Sequence, residues 1–327
     1  MKRILQKLDN YWFAPIAPER LAILRILIGS FSLWYLVTRF DMMQRLAASD
    51  ASNFEPVGLA RVLHNPMMPE VFNLLLIITV LLNVAYIIGW KFRWTGPAFG
   101  LLLLFMMSYR NSWSMIYHNY IATVLHVLVI GVVASADAIS YDAWRQKGRN
   151  WREKGAAGWQ YGWGVKLICT ATVATYMLSG LAKVFGELAW AWVDGSAMRS
   201  QVAVDALRKE MLGGAANPWF EWLYPHTELF LIMGIGTMIL ELGAPAALLH
   251  RNIALVWAAL TFSMHWGIYF IMGIDFPYHT TGLIFLSFFA IEKGWFCLQQ
   301  RVLSIFTFDK TPDASSSSIT SLANYDK

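Results

Sequence analysis

Charge is scarce in this chain. Of its 327 residues 14% are Asp, Glu, Lys or Arg and 57% are hydrophobic, against about 25% and about 45–50% in an ordinary soluble domain. That balance excludes a water-soluble globular protein and marks one built for a bilayer. Cysteine is almost missing. Cys169 and Cys297 both lie in apolar stretches, with no CxxC or Cys/His spacing, so a zinc or redox site is excluded and no metal is expected. No HExxH and no Ser/His/Asp order occurs, and the GIG at 234–236 does not follow a strand in a βαβ context, so a dinucleotide fingerprint is absent as well. The formal charge of +5 does not advertise nucleic acid, because the basic residues lie between apolar runs rather than on one strip. No internal repeat and no paired broken helices are evident, which counts against a transporter.

Long apolar runs take the place of what is missing. A span needs about 20 mostly apolar residues, and runs at 21–38, 70–89, 96–109, 118–136, 164–186, 226–249, 253–272 and 278–296 approach that length. The expected fold is therefore all-α: a polytopic membrane bundle of about eight helices with interfacial segments. Residues 1–20 read as an N-terminal segment, 21–296 as the membrane domain and 297–327 as a polar tail. Arg25, inside the first run, argues against a cleaved signal peptide. Proline-broken residues 40–69 and Trp-rich residues 187–225 suit interfacial or re-entrant pieces. Lys2, Arg3, Lys7, Arg20, Lys91, Arg93, the basic group from Arg145 through Arg149 and Arg152 to Lys154, and Arg251 fall on one set of alternating loops. By the positive-inside rule that set is cytoplasmic, with both termini inside and the chain in the plasma membrane.

Ionisable groups inside spans are costly and are the first place to look for function. Lys183 lies about 28 Å along its helix from Gly164 at ~1.5 Å per residue, near the outer face. His118 begins the fourth run, His265 lies well along the seventh and Asp275 just beyond it, so the same counting brings all four to the outer half. Each also has a plain reading. A lysine near a helix end snorkels, a histidine in a span bonds a neighbouring helix, as expected for His126, and Asp275 sits in a turn before Pro277. Arg25 and Glu241 are expected on the inner half as a structural ion pair.

The stretch YMLSGLAKVFGELAWAWVDGSAM (176–198) resembles vitamin K-dependent γ-carboxylases, in which a glycine, a lysine and a tryptophan–acidic–glycine group follow one another. APERLAILRILIGS (17–30), GWKFR (89–93), NSWSMIYHNYI (111–121), ISYDAW (139–144) and MHWGIYFIMGI (264–274) are similar in the same order. The resemblance covers most of residues 17–295, the membrane part known as the HTTM domain. It implies an enzyme that oxidises a reduced, vitamin K-like or menaquinol-like hydroquinone with oxygen to its epoxide and uses the base so formed on a second substrate. It places the catalytic lysine on Lys183, expected in an apolar pocket where desolvation disfavours the ammonium and leaves the amine to act as a base, and an oxyanion-stabilising histidine on His118. His265, Tyr117, Asn119, Trp192, Asp194, Gly180 and Asp275 are expected around the quinone, with Gly195 making the tight WVDG turn.

Two departures from that family stand out. The animal carboxylases carry a large luminal domain after the membrane part, whereas this chain stops about thirty residues past its last expected helix. Tyr117 stands before His118 where the carboxylase has an asparagine. Both motivate an alternative expectation: a non-catalytic HTTM protein that binds a lipid or quinone, or serves the maturation or immunity of a small secreted peptide.

Overall fold

A computed structural model describes residues 2–113, 116–148 and 154–307. Arg149, Arg152 and the polar stretch Asp309 to Lys327 lie outside the described residues. Among the described residues the chain is helical, without a strand, and one antiparallel bridge joins Ile16 to Gly158. In order the helices are α1 (Lys2–Trp12), α2 (Pro18–Thr38), α3 (Phe40–Ala47), α4 (Pro69–Ile88), α5 (Phe92–Asn111), α6 (Ile121–Val132), α7 (Tyr141–Lys147), α8 (Trp159–Phe185), α9 (Trp190–Val193), α10 (Ser196–Met211), α11 (Trp219–Leu223), α12 (Thr227–Leu242), α13 (Arg251–Met272), α14 (Pro277–Thr280) and α15 (Ile291–Thr307). Residues 1–291 form one compact unit, and residues from Glu292 onward form a second.

Sequence chemistry explains where the helices begin and stop. Proline opens α2 and α4, where its missing N–H costs nothing, and Gly89 ends α4 in the left-handed region. Asp142 reaches from α7 to accept from the Lys91 and Phe92 amides at 3.0 and 2.8 Å, capping α5. Inside the apolar helices, hydroxyls bond their own backbone: Ser32 to Ile28, Thr79 to Leu75 and Thr261 to Trp257, at 2.9, 2.7 and 2.7 Å. In hydrocarbon this spares an unpaired polar group.

Burial runs opposite to that of a soluble helix. On α4 the inward face carries Phe72, Leu76, Thr79, Asn83 and Tyr86, while Leu74, Ile77, Leu81, Val84 and Ile88 are exposed. A contiguous apolar face on a helix of this length suits a lipid environment. The core beneath it is rich in aromatics: Tyr35, Phe72, Tyr86, Phe99, Tyr109 and Tyr278 are all buried.

Four helices, α2, α4, α8 and α13, are both long and apolar enough to cross a bilayer, among the described residues. The other expected runs take different forms. The third falls in α5, a 20-residue helix with Pro97 inside it. The fourth is a 3-10 turn, His118–Tyr120, leading into the 12-residue α6. The sixth is the 16-residue α12, continued by a 3-10 segment, Ala244–Leu248. The eighth, 278–296, is not one helix. It breaks into α14, a 3-10 segment over Leu283–Phe288 and the start of α15, because Gly282 turns left-handed (φ 75°). Side chains of α8 follow that break: Thr172 bonds the Ile284 carbonyl at 3.4 Å and Cys169 the Ser287 hydroxyl at 3.4 Å.

Arg25 is wholly buried, and its guanidinium donates to the carbonyls of Ser135 and, at 2.5 Å, Ile139. The expected pairing with Glu241 is therefore corrected. Backbone carbonyls freed where α6 ends take the two terminal nitrogens of Arg25, and Glu241 pairs instead with Lys183. The Glu241 carboxylate is on the last turn of α12, after which the 3-10 segment continues along α8 toward that helix's start. Tyr11 ties that segment down through its hydroxyl to Leu248 O at 2.8 Å.

Candidate functional site

A stripe of α8 builds one wall of the site. Tyr176, Ser179, Gly180 and Lys183 recur at the three- and four-residue spacing that puts side chains on one helix face. Opposite them stands the end of α12. Lys183 Nζ lies 2.5 Å from Glu241 Oε1, and Ser179 donates to the same oxygen at 3.2 Å. Gly180 makes the approach possible: a Cβ there would stand 3.0 Å from the Glu241 Cβ and 2.9 Å from Leu242. The apolar pocket expected around Lys183 is thus a charged one, closed on another side by Trp192, whose ring lies 5.0 Å from Nζ.

Trp192 is carried there by the WVDG turn. Asp194 is exposed and accepts from the Ser196 amide at 2.8 Å, and hydrogen bonding from Ser196 holds its carboxyl below the usual range. It therefore organises the start of α10. Gly195 is left-handed (φ 82°), and a Cβ there would come within 2.2 Å of the Phe230 backbone. Both strain and clash fall on any replacement. Gly195→Ala is expected to part α9 and α10 from α12 and to raise proteolysis at Arg199 and Arg208 severalfold; digestion at the wild-type rate would show that the contact is dispensable.

Beside this wall lies a group of histidines. His265 of α13 and His279 of α14 stack with ring centroids 4.3 Å apart and planes 16° from parallel. Phe276 touches three histidine rings, those of His118, His265 and His279, at 5.6, 5.3 and 5.6 Å. The Tyr176 ring meets His265 at 5.8 Å and His279 at 6.0 Å, with Trp257 at 5.1 Å behind it. The fold thus gathers His118 and His265 around Phe276, with Tyr176 placed two turns of α8 before Lys183.

The other residues singled out in the sequence have the following neighbours. The exposed Tyr117 lies against the Arg110 guanidinium at 4.6 Å, because a cation nearby satisfies its ring face. Asp275 is exposed and accepts from the Thr280 hydroxyl at 3.2 Å, which makes it part of the turn into α14. Asn119 is half-buried, with its Oδ1 enclosed and unpartnered. His126 is saturated by the Tyr278 hydroxyl at 2.7 Å and the Thr172 hydroxyl at 2.9 Å, so it joins helices. Tyr176, Phe276 and His279 escaped sequence reasoning. The seven-residue, two-turn spacing of Tyr176 with Lys183 was a usable signal, whereas nothing in PYHTTG marks His279.

Among the described residues, no three His, Cys, Asp or Glu side chains are arranged to hold a metal ion. Stacked imidazoles direct their in-plane lone pairs side by side, not toward one point. A hydroxylated aromatic ring fits the arrangement better. Tyr176 Oη, His279 Nδ1 and Glu241 Oε2 are buried without a hydrogen-bond partner among the described residues, and buried polar atoms left so are costly. Flanking aromatic faces would take the ring while these atoms take its hydroxyls.

No curated protein and no solved structure matches the chain. Residues 13–295, almost the whole of the described protein, match the HTTM domain. With its helical membrane architecture and the motifs distributed along it, the chain belongs to the HTTM domain family.

Proposed function

We propose that this HTTM protein binds a lipid-soluble hydroquinone between Tyr176, the stacked His265 and His279, and the Lys183–Glu241 pair, and oxidises it with oxygen. One observation carries the reading: a buried ion pair, 2.5 Å long, stands beside aromatic rings and polar atoms that have no partner. When bound, the hydroquinone supplies the oxidative chemistry that the side chains lack, yielding its epoxide and a base strong enough to deprotonate or carboxylate a second substrate. The Glu241 carboxylate accepts the proton of a hydroxyl while the Lys183 ammonium stays beside the oxyanion so formed, so that charge within the site remains balanced. His118, exposed at the rim on Phe276, is placed to donate to oxygen as negative charge develops. By the positive-inside reading this rim faces the outer side of the plasma membrane, where a secreted peptide or protein would be met.

The test is incubation of the purified protein in detergent with reduced vitamin K and oxygen, alongside Lys183→Ala, with chromatography for the epoxide. Epoxide from the wild type and a loss of a hundredfold or more in the variant supports the reading; none from either overturns it. A second reading, a non-catalytic lipid or quinone binder, has one observation in its favour, namely that Lys183 already has its counter-ion in Glu241. Binding of the hydroquinone without turnover would select it.

A further inference from the structure

His265 differs from its neighbours in having one ring nitrogen fixed. Its Nδ1 lies 2.9 Å from the Thr261 carbonyl oxygen, one turn back on α13. A carbonyl only accepts, so Nδ1 must carry the hydrogen. In the neutral ring Nε2 is then a bare acceptor. Because the two nitrogens of an imidazole face nearly opposite ways, Nε2 points away from the α13 backbone. The ring is buried there between His279, Tyr176 and Phe276, and its one hydrogen bond among the described residues is that of Nδ1, which leaves Nε2 to a ligand.

We infer that His265 is the residue by which this site tells the reduced form of its ligand from the oxidised form. A hydroquinone hydroxyl can donate to Nε2, whereas a quinone carbonyl, itself an acceptor, meets it lone pair to lone pair. The inference rests on the proposed hydroquinone site and gives it a selectivity: reduced headgroups enter and oxidised ones are refused. Thr261 has a positioning role, since its carbonyl sets the tautomer. Its hydroxyl is occupied by Trp257 O and takes no part. His279, stacked on His265 with Nδ1 enclosed and unpartnered, offers a second contact to the same ring. Discrimination by a buried polar mismatch costs about 1–3 kcal/mol, which is roughly a five- to 150-fold ratio of affinities.

The experiment measures binding, not turnover. Quenching of the protein's tryptophan fluorescence is titrated under anaerobic conditions with menadiol and with menadione, for the wild type, His265→Gln and His265→Lys. The wild type is expected to hold menadiol at least tenfold more tightly. His265→Gln, which offers both a donor and an acceptor, brings the two affinities within about threefold, and His265→Lys, which only donates, reverses the preference. Nitrogen-15 spectra of the histidines give a check independent of any ligand: His265 should appear as the Nδ1–H tautomer. Wild-type protein that binds both forms equally, or a His265 found as the Nε2–H tautomer, overturns the inference while leaving the hydroquinone site standing. Failure to bind either form removes the site itself.

Discussion

Glu241→Leu alone lowers the thermal midpoint of the purified protein by roughly 10 °C, whereas the double change Lys183→Met with Glu241→Leu restores most of it. The single change strands an ammonium whose side chain is 18% exposed, opposite a position that is 6% exposed. Removing one partner of such a buried pair costs about 3–5 kcal/mol, while exchanging both for apolar groups of similar volume is often neutral. At about 2–4 °C per kcal/mol for domains of 150–250 residues, the loss is readily measured. The double variant should fold yet form no epoxide, which separates the role of the pair in stability from its role in chemistry. A single variant as stable as the wild type would mean that the pair is open to water, and the charged wall would lose its meaning.

Arg25→Met is expected to cost most of the folded yield, with Arg25→Lys intermediate. Two carbonyls, of Ser135 and Ile139, receive the guanidinium in a position with no exposure, and the Phe92 ring lies 5.6 Å from it. Each carbonyl left unpaired costs about 1–3 kcal/mol. A lysine reaches one carbonyl but not both, since it lacks the fork of the guanidinium. Ile139 and Lys91 are both held left-handed (φ 46°) on either side of this contact, a conformation that non-glycine residues seldom adopt. Without Arg25 the Ile139 carbonyl loses the contact that holds it, while Lys91 keeps its bond to Asp142. Fluorescence-detected size exclusion of the variants checks the order wild type, lysine, methionine; equal monodisperse peaks for all three would contradict it.

Arg25 also shows why motifs spread along the chain belong together. The stretches 17–30, 89–93 and 139–144 lie far apart in sequence, yet Arg25, Gly89, Ile139, Ser140 and Asp142 meet at one junction. Ser140 packs where a Cβ on Gly89 would stand, and Asp142 caps α5 from across the loop. These residues are joined by structure and not by chemistry on a substrate. By contrast 176–198 and 264–274 supply Lys183, Trp192 and His265 to the candidate site.

The sequence by itself determined the helical membrane architecture, because a bilayer demands apolar length and internal backbone pairing, and both are local properties of the chain. It also marked Lys183, His118 and His265, since ionisable side chains in apolar runs stand out by composition alone. Partners were decided only by the tertiary structure. Whether Glu241 meets Arg25 or Lys183 depends on how α12 packs along α8, with Gly180 admitting the Glu241 turn, and no residue type announces that pairing. His279 joined the site because Gly282 breaks an apolar run that otherwise reads as one helix, which folds α14 against α13. Periodicity carries a helix's face; where that helix stops, and what it then meets, is a property of packing between segments distant in sequence.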